Sequence, residues 1–203
     1  MFELLEMLTI GFILGLTGAL VPGPMLFVTI DTSLKRGWKA GPEIFVGHAI
    51  IEFMVCVLII YGITAVSDST VMAISILGGA TLVIFGLMTM KSAKGAADSM
   101  HEHNKSTSKP VLSGILTSAS NPYFWIWWLA AGSALVLRGL EIGLIAAVMF
   151  MAGHWLADLG YFTVVSASFS KGKKLMSPKV YERVLLFCGL FLVLFGSWFI
   201  VGM

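Results

Sequence analysis

The chain alternates long apolar runs with short polar connections. Six runs approach the 20 or so residues that a helix needs to cross a bilayer: residues 8–30, 42–66, 70–90, 111–136, 142–166 and 184–201. None has the strict alternation of a half-buried strand, and all are too long for buried strands. The pattern predicts an all-α membrane protein of six transmembrane helices. One connection is longer than the rest. Residues 91–110, KSAKGAADSMHEHNKSTSKP, are polar and divide the chain into a three-helix unit at 1–90 and another at 111–203. The N-terminus carries Glu3 and Glu6 where a cleaved signal would be basic, so the first run is expected to be retained.

Composition supports this division. Of 203 residues, 58% are hydrophobic and 12% charged, and the mean hydropathy is +0.93. Soluble domains carry about 25% charge, so lipid must solvate much of this surface. Twelve of the thirteen Lys and Arg fall in the connections after the first, third and fifth runs, and only Arg138 falls in the others. Basic connections stay in the cytoplasm. That predicts both termini outside, in the plasma membrane of a prokaryote, with the halves inserted in opposite senses. Cys56 and Cys188 stand alone in apolar runs and form no redox or zinc motif. Nothing in the chain calls for a cofactor or a nucleic-acid partner.

The halves also share an order of features. Gly47-His48 precedes Glu52, and Gly153-His154 precedes Asp158. Gly37 and Gly41 match Gly139 and Gly143 in spacing. Pro22-Gly23-Pro24 interrupts the first run and Asn121-Pro122 the fourth. Inverted repeats with interrupted helices at corresponding places are a sign of a secondary transporter. Such breaks free backbone groups that suit the ends of an amino acid. Pro22, Gly23, Pro24, Asn121 and Pro122 are therefore candidate substrate-binding residues. Trp125 is a candidate pocket wall, although tryptophans also gather at membrane interfaces.

Glu52 and Asp158 are the carboxylates set deepest in apolar runs, where a charge costs at least about 2.5 kcal/mol. Each follows a histidine by four residues and shares its helix face. His48, Glu52, His154 and Asp158 are candidate proton-coupling groups; packing of polar pairs between helices is the plainer reading. Asp31 and Glu43 flank the first basic connection and are expected at a solvated surface, both pairing with Lys35, Arg36 or Lys39 or lying in a cytoplasmic vestibule. His101-Glu102-His103 reads as solvated linker. Glycines at 11, 15, 18, 78, 79 and 86 permit close helix contact and would also serve a homodimer.

The stretch Val21-Pro-Gly-Pro-Met-Leu-Phe-Val28, the loop Arg36-Gly-Trp-Lys-Ala-Gly41, Gly47 and Ser120-Asn-Pro122 together resemble the amino-acid exporter branch of the lysine exporter (LysE) superfamily over nearly the whole chain. The resemblance implies export of amino acids or similar small amphoteric solutes by proton antiport, with a pocket at the two breaks and an acidic residue on the second helix, here Glu52. Tyr123 stands where many members have a lysine. The superfamily also contains divalent cation exporters, and that alternative draws on His48, Glu52, His154, Asp158 and the 101–103 segment. An intramembrane serine hydrolase would need a GxSG-type setting, which Ser118 and Ser120 lack.

Overall fold

A computed structural model describes residues 1–21, 23–62, 68–98 and 109–201. Among these the chain is all-helical, with no strand. The nine α-helices are α1 (Phe2–Leu20), α2 (Pro24–Arg36), α3 (Ala40–Ile60), α4 (Asp68–Asp98), α5 (Pro110–Ala119), α6 (Pro122–Trp127), α7 (Ser133–Ile142), α8 (Leu144–Gly172) and α9 (Pro178–Val201). A π-helical turn (Trp128–Gly132) joins α6 to α7, and a 3₁₀ turn (Lys173–Leu175) follows α8. Four helical stretches, Phe2–Leu20, Ala40–Ile60, Leu144–Leu175 and Pro178–Val201, are long and apolar enough to cross a membrane. Large apolar side chains such as Phe12, Phe53, Leu87, Leu156, Phe187 and Leu194 stay exposed, as expected where lipid is the solvent.

The interrupted runs break where proline removes a donor. The first run ends as α1 at Leu20 and resumes as α2 with Pro24 at its first position, where a missing N–H is harmless. The fourth run divides further than its sequence indicates. Ser120 ends α5, and the Asn121 side chain caps α6 by accepting from the Tyr123 amide at 3.1 Å. The π turn then inserts an extra residue per turn. Arg138, expected in a connection, lies within α7 and faces Glu6 at 3.4 Å. Gly143, at φ 146°, makes the turn into α8 that a side chain would strain. The helix of the third run continues through Lys91 and Lys94 to Asp98 before the polar connection. The 101–103 segment lies outside the described residues.

Several helix pairs approach at glycines. A Cβ at Gly47 would stand 2.0 Å from the Val111 carbonyl oxygen, and one at Gly114 would stand 2.2 Å from that of Ile44, so α3 and α5 touch backbone to backbone. A Cβ at Gly153 would stand 2.0 Å from the Leu8 oxygen, and one at Gly11 would stand 2.1 Å from that of Phe150, joining α1 to α8. Gly79 meets Gly196, and Gly86 meets Gly189, where α4 crosses α9. Small residues at such crossings let dispersion and backbone contacts act without a hydrophobic drive. One apolar core gathers Leu34, Leu82, Leu185 and Leu192. The other gathers Met7, Ile59, Trp128 and Phe150.

Asp31 departs from the solvated setting expected of it. It is held 2.6 Å from Lys35 one turn on, with both side chains largely covered. Tyr181, on α9, donates its hydroxyl to the Leu34 carbonyl at 3.2 Å beside this pair.

These contacts predict that Gly47→Val forces α3 from α5 and lowers stability by about 2–3 kcal/mol, read by equilibrium denaturation in detergent. Gly18→Ala, where a Cβ meets nothing within 4 Å, is expected to leave it intact. Equal stability of both variants would contradict the close approach.

Candidate functional site

Helix geometry puts each histidine over its own carboxylate, four residues on and one turn away. The glycine before each histidine lets its helix lie close to a neighbour. α3 and α8 also pack against each other, and their polar faces meet. His154 Nε2 lies 2.9 Å from Glu52 Oε1, and His48 Nε2 lies 3.1 Å from the same oxygen. Asp158 Oδ2 lies 3.4 Å from His154 Nε2 and 3.6 Å from His48 Nε2. The four residues paired in sequence thus form one cluster, each histidine reaching its own carboxylate and the other helix's.

Glu52 is 1% exposed and the most heavily partnered member. Its Oε1 faces both imidazoles, and its Oε2 accepts from the Trp155 indole N–H at 2.8 Å. Asp158 is equally buried, but its Oδ2 has no hydrogen-bond partner. The histidines differ too. His48 Nδ1 lies 2.7 Å from Ser118 Oγ on α5, whereas His154 Nδ1 has no partner. A Cβ at Gly15 would stand 2.9 Å from that nitrogen, so α1 closes over it without offering a hydroxyl.

Aromatic rings wall the cluster. Phe124 and Phe162 lie edge-on to His48, at 5.6 and 5.8 Å between centroids. Trp127 and Trp128 lie 5.0 and 5.5 Å from His154. Successive residues of a regular helix point about 100° apart. The π turn beginning at Trp128 accompanies the arrangement that brings both indoles to one imidazole. Phe150 completes that side at 6.2 Å.

The residues expected at a pocket are placed differently. Gly23 is the extended cap before α2, and Pro24 is buried at its first position; Pro22 lies outside the described residues. Asn121 is half-buried and spends its side-chain oxygen on capping α6, whose first residue is the buried Pro122. Trp125 donates its indole N–H to the Ala119 carbonyl at 2.9 Å. The Asn121 side-chain oxygen and the Trp125 indole N–H are thereby used within the break. Ser118 precedes this break and reaches His48, not His154. Sequence reasoning passed over Trp155, and of the aromatic run at 123–128 it carried only Trp125 forward as a pocket wall. The one available signal for Trp155 was its place beside His154.

His48, Glu52 and Asp158 offer ligand atoms that all lie within 4.8 Å of one another. Two imidazoles and two carboxylates make a nitrogen–oxygen donor set suited to divalent first-row transition metals. The same groups can hold and release protons.

Burial of Glu52 predicts a cost for removing its indole donor. Trp155→Phe keeps the ring packing but leaves Oε2 unpaired, and should cost about 1.5–3 kcal/mol in equilibrium denaturation. Unchanged stability would mean that this bond carries nothing.

Comparison with known proteins agrees with the helical pattern. The family model for LysE type translocators matches residues 16–202. A urease accessory protein, UreH, of Bacillus sp. (strain TB-90) is 30% identical over 191 residues, covering 83% of this chain and 79% of that protein. No solved structure matches the chain.

Proposed function

The chain belongs to the LysE type translocator family, a family of membrane transporters, and from that premise we propose that its cargo is a divalent metal cation exchanged for protons. The observation that carries this reading is the convergence of His48, Glu52, His154 and Asp158 between α3 and α8. A four-coordinate ion holds N and O ligands at about 2.0–2.2 Å, which sets neighbouring ligands roughly 3.4 Å apart. His48 Nε2 lies 3.1 and 3.6 Å from the Glu52 and Asp158 oxygens that face it. Little rearrangement separates this cluster from a coordination shell.

Antiport follows from the same chemistry. A cation competes with protons for imidazole and carboxylate, so its entry releases them. Protons returning from outside displace the cation again. In the proposed cycle, α3 and α8 present the cluster to one side of the membrane and then to the other. The two halves act as inverted three-helix repeats, divided at the polar segment 91–110, whose first residues continue α4 to Asp98, with both termini outside a prokaryotic plasma membrane. Support comes from matched contacts. Gly47 of α3 lies on the Val111 carbonyl as Gly153 of α8 lies on that of Leu8, and the α4–α9 glycines pair reciprocally. The direction of transport, outward, is taken from the resemblance to exporters.

Amino-acid export through Pro22, Gly23, Pro24, Asn121, Pro122 and Trp125 is the second reading. One observation favours it. α2 begins at Pro24 after the Gly23 cap, with no side-chain cap, and an open helix N-terminus suits a carboxylate. At the other break the Asn121 side-chain oxygen and the Trp125 indole N–H are already engaged, which favours the cation.

Flux in proteoliposomes separates the two. Under an imposed pH gradient, the wild type is expected to move Mn²⁺, Co²⁺ or Zn²⁺, and Asp158→Asn to lose at least about ten-fold of that flux, the scale of losing one ligand interaction. Flux of a labelled amino acid with none of cations would replace this reading with the second. Equal cation flux by the folded variant would remove Asp158 from the site.

A further inference from the structure

His48 and His154 occupy matching places in the sequence, but their surroundings assign them different tasks. Ser118 Oγ lies 2.7 Å from the Gly114 carbonyl and 2.7 Å from His48 Nδ1. A hydroxyl has one proton to give, and a carbonyl can only accept. The Ser118 proton therefore goes to Gly114, and Ser118 Oγ receives the N–H of His48 Nδ1. A neutral His48 then carries a lone pair on Nε2. That lone pair is directed at Glu52 Oε1 and Asp158 Oδ2, 3.1 and 3.6 Å away. Three electron-rich atoms facing one another in a buried space are the arrangement that a cation between them would satisfy.

His154 is held in the opposite sense. Its Nδ1 is buried with no partner, so an N–H there would be a desolvated donor with nothing to receive it, a costly state. The proton belongs on Nε2, where Glu52 Oε1 accepts it at 2.9 Å. Gly15 shapes this difference. It lies against His154 Nδ1, where α1 supplies no counterpart of the Ser118 hydroxyl. Glu52 is held on one oxygen by His154 and on the other by Trp155. Asp158 Oδ2 is left uncommitted.

Resting on the cation reading, we propose that His48, Glu52 and Asp158 are the cation's protein ligands. Ser118 is a positioning residue that fixes the tautomer in which His48 presents Nε2. His154 is a donor that steadies Glu52 and is not a ligand. Ligating histidines generally give their second N–H to such an outer partner, whose removal costs about 10–100-fold in metal affinity.

The test is titration of the purified full chain in detergent with Co²⁺ alone, read by affinity and by the visible absorption of the bound ion. His48→Gln is expected to lose affinity by at least about 100-fold, with a shifted band as nitrogen leaves the shell. His154→Gln, whose amide can still donate to Glu52, is expected to lose less than about five-fold and to keep the band. Ser118→Ala is expected to weaken binding by about 10–100-fold, and Ser118→Thr, which keeps the hydroxyl, to restore it. Equal losses from the two histidine variants would overturn the ligand assignment. Wild-type affinity in Ser118→Ala would overturn the role of Ser118. In both cases the cation reading would stand. Absence of Co²⁺ binding by the folded wild type would overturn both together.

Discussion

A carboxylate buried in a membrane protein must be paired, and the centre of this molecule is organised around that constraint at Glu52. The side chain is 1% exposed, and water cannot repay its desolvation. Two N–H groups of α8, those of His154 and Trp155, take the place of water, and His48 of its own helix faces the same carboxylate. Removing one hydrogen-bond donor from such a group costs about 1.5–3 kcal/mol. α3 and α8 are therefore tied by an interaction that neither can satisfy alone.

The glycines allow this interaction to form. Gly47 and Gly153 directly precede the two histidines, and each lies on a carbonyl of a neighbouring helix. Larger residues would push α5 off α3 and α1 off α8. Ser118 would then leave His48, and the cover that Gly15 gives His154 would open. The broken helices have a related effect. The cap at Asn121 and the π turn after Trp127 accompany the placing of Phe124, Trp127 and Trp128 against the imidazoles. These rings exclude water around the cluster, where low polarity strengthens each charge interaction. The second break thus acts on the cluster through its aromatic rings, while the Asn121 side-chain oxygen and the Trp125 indole N–H are spent locally.

Much of this was legible in the sequence. Hydropathy found the apolar helices, proline marked the breaks near 22 and 121, and the four-residue spacing put each histidine on its carboxylate's face. Their union into one cluster was not legible, because spacing along a helix says nothing about which helix it faces. Trp155 carried no mark distinguishing a hydrogen-bond donor from a packing ring. Ser118 reads as a small polar residue until α5 is set against α3. The π turn has no period of its own in so short a segment, and Arg138 looked like a connection residue because its helix is amphipathic at the end of a run. The repeated Gly-His motif suggested equal halves. The difference between them lies in Gly15 and Ser118, on other helices.

The central claim is that the two helices share one cluster rather than holding two separate pairs. A double-mutant cycle across α3 and α8 tests it most directly, with Glu52→Met, His154→Phe and the double variant compared by equilibrium denaturation in detergent. Residues in direct contact within one network are expected to show a coupling of about 0.5–3 kcal/mol, so the double variant should fall short of or exceed the sum of the singles by that amount. Additivity within about 0.3–0.5 kcal/mol would mean that Glu52 and His154 act independently, and would contradict the account.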